Sequence, residues 1–311
     1  MFRYLVRRVL YLIPILFGIT LITFLLFHVV GGNPAAQAAG KYGNEAQIRA
    51  LEIEMGLDKP LHLQYVDYLR QIVTFDFGRS WSTHQEISTM IMNGMGPSLS
   101  LTLPAFLLII IISVSIALLL AHYRGGMLDK AVLIICLAGM SVSSLVYILY
   151  MQYWLAYKAG IFPISGWDPS WTGRWEYVAL PILIFIILSI GGNVLFYRTV
   201  FLDEVLQDYV RTARAKGLGT VRILFKHVLR NALIPIITLV VLEMPLLILG
   251  SLLLESFFDI PGLGGLIYSA IQNSDFPVVK AMTFIGAGLY MIFQLISDLL
   301  YAVVDPKVQL R

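Results

Sequence analysis

Residues 201–232 read FLDEVLQDYVRTARAKGLGTVRILFKHVLRNA, a charged, amphipathic stretch between two long apolar runs. Its first half spaces Leu202, Val205, Leu206, Tyr209, Val210 and Ala213 at helical intervals, which predicts one apolar face. Gly217-Leu218-Gly219 then breaks the helix, and Thr220 is placed to cap a second one. In that second half Val221, Leu224, Phe225, Val228, Leu229 and Ala232 share a face, while Arg222, Lys226 and Arg230 share another. Counting Arg198 at its edge together with Arg211, Arg214 and Lys216, seven basic residues surround a turn of short side chains. A glycine-broken helical hairpin on the basic side of a membrane protein offers a handle to a soluble partner. A juxtamembrane basic helix lying on anionic lipid accounts for the second half, but not for the small-residue turn TARAKGLG.

The rest of the chain is built to sit in a bilayer. Of its 311 residues 58% are hydrophobic and only 13% charged, and the charges fall between apolar runs, which excludes an ordinary soluble domain. The single cysteine, Cys136, lies inside an apolar run, so neither a disulfide framework nor a Cys-based metal site is expected. Six runs have the roughly 20 residues that a spanning helix needs, at about 9–30, 98–121, 131–157, 179–200, 233–255 and 279–303. Pro14, Pro104, Pro181 and Pro235 stand near their starts, where a missing amide donor costs least, and Pro306 stops the last. The basic start and the small-residue run PAAQAAG at 34–40 resemble a cleavable signal. The first apolar run, however, exceeds the roughly 7–15 residues of a signal core, so a retained span is expected.

Lysine and arginine set the orientation. With the N-terminus inside, fourteen basic residues fall on the cytoplasmic side: Arg3, Arg7, Arg8, Arg124, Lys130, the seven above, Lys307 and Arg311. The short outer elements hold three, Lys158, Arg174 and Lys280; the five of the long loop count little, because long segments cross with small regard to charge. All five tryptophans lie on the outer side. Both termini are therefore expected inside. The net charge of +3 reports orientation rather than nucleic-acid binding.

The outer loop, about 31–97, has a pattern of its own. Gln47, Ile48, Leu51 and Met55 predict one helix, and after Pro60 the stretch LHLQYVDYLRQIV predicts another with Leu63, Val66, Leu69 and Val73 on its apolar side. Either a docking surface or a packed cap fits. Glu243, mid-span, is expensive in hydrocarbon and should face the bundle or a wet cavity, as a contact for a cargo amine or as a structural carboxyl. Asn193, Gln152, Gln294 and Asp298 are candidates to bond between helices. No catalytic arrangement emerges: Gly139-Met140-Ser141-Val142-Ser143 lacks the closing glycine of a nucleophile elbow, and none of the five histidines forms a His-x3-His pair. No catalytic or metal residue is predicted, and the chain is not read as an enzyme.

The stretch DYVRTARAKGLGTVRILFKHVLRNALIP resembles the cytoplasmic loop of the inner-membrane permeases of ATP-binding-cassette importers, in the dipeptide, oligopeptide and nickel branch. GLDKPLHLQYVDYL at 56–69, DFGRS at 76–80, ESFFDIPGLGGLIYSAIQNSDFPVV at 255–279 and ISDLLYAVVDPKV at 296–308 agree in the same order. In the Glu-Ala-Ala…Gly signature of that loop, the Glu and first Ala positions are Arg211 and Thr212 here, while Ala213 and Gly217 match. A second departure is in the third span: Ser141-Val142-Ser143-Ser144 stands where such permeases often carry Ser-x-Pro, so a weaker kink is expected, loosened by Gly139 and the serines.

The resemblance implies an all-α, type I importer permease, a single transmembrane domain over 1–311 with a coupling loop at about 201–232. It implies ATPase coupling through Arg211, Thr212, Ala213, Arg214, Ala215, Lys216, Gly217 and Leu218, and a pathway involving Glu243, Asn193 and Ser141. Glu255, Pro261, Gly262 and Gly264 are implied as outer gate or binding-protein contact. With no Gly-x4-Gly-Lys-Ser/Thr in the chain, ATP and Mg are expected on two separate ATPase subunits. The further implied partners are a second homologous permease, an extracytoplasmic solute-binding protein and membrane lipid, with no nucleic acid, in a bacterial inner membrane. The implied cargo is short peptides or similar small polar solutes, with nickel or oligosaccharides as alternatives. A stand-alone secondary transporter would require an internal repeat, and none is evident between the halves.

Overall fold

The computed structural model describes residues 2–29, 33–39 and 44–304. Pro306, Lys307 and Arg311, used above, lie outside the described residues, as does Lys41, one of the five basic residues of the long loop. Helix α1 (Phe2–Val29) leads to an arch of α2 (Pro34–Ala39), α3 (Glu45–Glu54) and α4 (Leu61–Thr74). Then come α5 (Ile87–His122), α6 (Met127–Met140), α7 (Ser144–Met151) with a π-helical turn at Gln152–Lys158, and α8 (Arg174–Val205). The short α9 (Asp208–Ala215) and α10 (Thr220–Ile223), with a π-helical turn at Leu224–Val228, precede α11 (Leu229–Leu249). The chain closes through α12 (Leu252–Phe257), α13 (Leu263–Gln272) and α14 (Phe276–Val304). Among the described residues the only β pairing is an isolated bridge between Arg79 and Glu86.

Four helical stretches are long and apolar enough to cross a membrane, 87–122, 174–205, 220–257 and 276–300, and the bent α6–α7 pair makes five if it is one span. In α1 the corresponding apolar stretch is Leu10–Leu26. Helices α5, α8 and α14 outrun the apolar runs that announced them, since polar residues continue a helix beyond hydrocarbon at little cost, whereas α11 stops at Leu249, short of the expected 255. The prolines are consequently not in first turns: Pro14, Pro97, Pro104, Pro181, Pro235 and Pro245 all lie inside helices.

Lipid is as apolar as leucine, so close packing rather than escape from water must hold spans together. The α5–α8 pair shows how. Buried Ser113, Ala117 and Ala121 form a small-residue stripe on α5 beside Val194, Tyr197 and Phe201, the last two wholly buried on α8. On the other side of α8, a Cβ at Gly191 would stand 2.9 Å from Met140 Cγ and 3.2 Å from the Cys136 carbonyl oxygen, so only glycine lets α6 come so near.

The third predicted span is broken, and more sharply than its missing proline suggested: α6 and α7 meet at 91°. Ser143 leaves the helical region (φ −60°, ψ 140°), and carbonyls of the last turn of α6 gain side-chain donors beside their backbone ones. The Tyr147 hydroxyl donates to Gly139 O at 3.0 Å, and Ser141 Oγ donates to Leu137 O at 2.8 Å. The span thus bends without a proline.

The arch corrects another expectation. Both predicted helices exist, with Asn44 capping α3 and Pro60 preceding α4. The face of α4 that packs, however, is Tyr65, Tyr68 and Ile72, against Phe24 of α1 and Phe284 of α14. Leu63, Val66 and Val73 are exposed. The amphipathic rule chose the aliphatic face, whereas tyrosine rings with polar tips made the actual contact, Tyr65 sharing a 3.0 Å hydrogen bond with Thr20.

Candidate functional site

Helix α5, about 54 Å long at 1.5 Å per residue, separates two working ends. Beside its last turns lies the 208–228 hairpin. Val210 and Ala213 of α9 are buried against Ile223, Leu224 and Val228, and this small core is continuous with Ala117 and Ala121 of α5, Phe201 of α8 and Ala232 of α11. The turn closes through Gly217, whose φ of +77° suits glycine, with its N–H on Arg214 O at 2.9 Å and that of Leu218 on Ala213 O at 3.3 Å. A Cβ at Gly217 would meet nothing within 4 Å. Arg211, Thr212, Arg214, Ala215, Lys216 and Gly217 are exposed, Leu218 is half-buried and Ala213 is buried.

Several details differ from expectation. The cap position of α10 is Gly219 rather than Thr220, and α10 has no side-chain cap bond. The π-helical turn advances the helix phase, so that Val221 and Phe225 are 67% and 60% exposed while Ile223 takes the buried place. Leu206 is exposed because α8 ends at Val205. Arg198 is no part of the handle: its guanidinium donates to both Asp129 oxygens at 2.7 and 2.8 Å, and Asp129 also accepts from Gly125 N at 2.9 Å. Tyr209 donates to the Glu204 carboxylate at the end of α8, and its phenol lies close enough to the Asn231 side chain at the start of α11 to interact with it. Burial first, then Glu204, pushes the Tyr209 phenol up to about 12.

At the other end, Glu255 is wholly buried. Its carboxylate accepts from Ser98 Oγ at 2.8 Å, Ser251 N at 3.1 Å and Gly265 N at 3.0 Å, and Ser98 Oγ accepts in turn from Leu263 N at 2.7 Å. A Cβ at Gly250 or Gly262 would overlap that carboxylate, and one at Gly264 would press on the Ser251–Leu252 backbone. Gly262 is glycine because the carboxylate fills the space a Cβ would need, and Gly264 because the Ser251–Leu252 backbone does. Glu255, Gly262 and Gly264 therefore form one cage pinning the α12–α13 corner to α5, while Pro261 stays exposed on the wall of a cleft of about 520 Å³.

Between these ends Glu243 of α11 is half-buried and close enough to the Asn193 side chain of α8 to interact with it, while the Asn193 amide donates to Ser189 O at 3.1 Å. Tyr197, one turn on from Asn193, is wholly buried and close enough to interact with Glu243. Ser141 does not join them; it is exposed at the α6–α7 break. Gln152 ties α7's π-helical extension to the backbone of Ile164 and Phe257, and Asp298 of α14 pairs with Arg8 of α1 at 2.6 Å, so both bond between elements as expected.

A polar hairpin rooted in three apolar helices fits a membrane component that meets a soluble partner. Comparison with known families decides which. The family described as "Binding-protein-dependent transport system inner membrane component" matches residues 113–310, and its N-terminal companion matches residues 1–102. The chain belongs to this family of importer permeases. It is 34% identical over 99% of its length to the oligopeptide transport system permease protein AppB of Bacillus subtilis, covering all of that protein. It is 32% identical over 99% of its length to the dipeptide permease DppB of Alkalihalophilus pseudofirmus, and 30% over all of it to the glutathione permease GsiC of Shigella flexneri, each covered in full. The permease is thus a multi-pass inner-membrane component of an ABC import system.

Sequence reasoning overlooked three groups in this permease. Asp275, almost fully buried, accepts from Trp81 N at 3.0 Å, Ser82 N at 3.2 Å, Ser82 Oγ at 2.7 Å and the Ser80 hydroxyl. Asp129 and Tyr209 were also missed as partners. Each pairs with residues that no local pattern brings together, except Tyr209, whose i−5 glutamate was visible.

Proposed function

We propose that this permease contributes six spans, with both termini in the cytoplasm, as a single domain over 1–311. Two such chains, this one and a homologous partner, line the pathway, and a solute-binding protein delivers cargo to the 44–86 side. Two ATPase subunits, carrying ATP and Mg, seat the 211–218 turn in a surface groove. Short peptides are the cargo; the oligopeptide, dipeptide and glutathione names of the relatives support this over nickel. Surrounding lipid seals the outward apolar faces.

One observation carries this reading: the hairpin core is continuous with α5, α8 and α11, so a push on the exposed turn reaches three helices at once. Nucleotide binding then favours one packing of the spans over another, and transport follows the population shift. Glu243, beside Asn193, faces the pathway and meets the cargo ammonium there.

Crosslinking tests it. In a Cys136→Ser background, Ala215→Cys should capture an ATPase subunit in at least one nucleotide state. Failure in every state sinks the coupling role.

A further inference from the structure

The chain bends by 91° between α6 and α7, and the residues of the bend, Ser141, Val142 and Ser143, are all exposed. Helix α8 fixes their depth. Met140, the last residue of α6, lies against Gly191, where a Cβ would stand 2.9 Å from Met140 Cγ. No charged residue occurs between Glu176 and Arg198 of α8. Gly191 is about 22 Å along the axis from the first and about 10 Å from the second. With Arg198 paired to Asp129 at the inner edge, the bend falls within the roughly 30 Å of hydrocarbon. There the backbone is open: among the described residues the carbonyls of Ser141 and Val142 and the N–H of Ser143 have no hydrogen-bond partner. The Ser143 side chain does not cap α7 either. Irregular, unpaired backbone does not face lipid at such depth; it is buried against protein or lines water.

Gly191 and Asn193 reach opposite flanks of α8, toward α6 and α11, so these three helices stand side by side and the bend uses none of the groups around Glu243. A dry protein contact would have to present two donors and an acceptor at fixed places, whereas a water-filled lumen meets such groups anywhere. An extended peptide meets them too, since each residue carries an N–H and a carbonyl whatever its side chain, proline's missing N–H excepted. We propose that the α6–α7 bend lines the transport pathway at mid-membrane and hydrogen-bonds the main chain of the peptide cargo. Ser141 O and Val142 O accept from its amides, and Ser143 N–H donates to one of its carbonyls. The proposal rests on the peptide-importer reading above. It gives the pathway a contact indifferent to side chains, separate from the charge contact at Glu243. A dry contact with the second permease is the competing occupant.

The test uses the complete importer in liposomes, with the permease in a Cys136→Ser background and one thiol added by Ser141→Cys or Ser143→Cys. Ile135→Cys, on an intact and exposed turn of α6, is the comparison. A charged, membrane-impermeant thiosulfonate should label positions 141 and 143 about tenfold faster than position 135 in at least one nucleotide state, because only the thiolate reacts and apolar surroundings suppress it. A saturating tripeptide, supplied with the binding protein, should slow that labelling several-fold, and a second tripeptide with different side chains should do the same. Labelling no faster than at position 135 in every nucleotide state overturns the proposal and leaves the bend to a dry contact. Fast labelling that neither peptide slows overturns it as well, since the bend is then wet but unvisited by cargo. A wild-type importer that moves neither tripeptide overturns the cargo reading itself, and this proposal with it; one that moves them while labelling fails overturns the proposal alone.

Discussion

At Gly217 a single backbone angle carries the turn. Its φ of +77° costs an ordinary residue about 1–2 kcal/mol, yet the space around it is open. Gly217→Val should therefore leave membrane insertion intact while distorting the turn, so that uptake collapses and immunodetected permease stays near wild-type level. Uptake at the normal rate would show that the turn makes no working contact. Glu243 poses a different question, because it is half-buried on an apolar span. Glu243→Gln keeps the shape but removes the charge, so assembled importer should persist with a raised KM for cationic peptides. Loss of assembly in detergent would mark the carboxyl as structural instead. The glutamate could be singled out in the sequence because a carboxylate in hydrocarbon is conspicuous. Tyr197 beside it could not be, since tyrosine in a span is ordinary.

At the scale of elements, helix existence was legible and helix faces were less so. Apolar length announces a span, but the lipid-facing and protein-facing sides of that span are equally apolar, so periodicity says little about which side packs. Close approach is recorded instead by small residues, as at Gly191. Gly191→Leu should push α6 from α8 at a cost of about 1–3 kcal/mol, read as a lower melting temperature in detergent. No change would mean that α6 is free to shift. The 91° break between α6 and α7 occurs without proline, with serine and tyrosine hydroxyls donating to carbonyls beside it, which the expected motif did not cover. The phase shift at 224–228 had no local sign either, because a π-helical turn reflects packing against α8 and α5 rather than propensity.

For the whole molecule, the Asp129–Arg198 pair ties α6 to α8 just where the hairpin begins. Asp129→Ala leaves a mostly buried guanidinium uncompensated and should cost about 3–5 kcal/mol, with most of the stability returning in Asp129→Ala with Arg198→Met. A double variant no better than the single would show that the pair is not what holds that corner. The apolar runs, the basic bias and the charged interruption at 201–232 were determined by sequence alone, because bilayer thickness and backbone hydrogen bonding leave a chain so little choice. Which residues meet across 69, 157 or 195 positions, as Asp129 meets Arg198, Glu255 meets Ser98 and Asp275 meets Ser80, was decided only by tertiary structure. A buried carboxylate requires donors, but it does not specify from where along the chain they come.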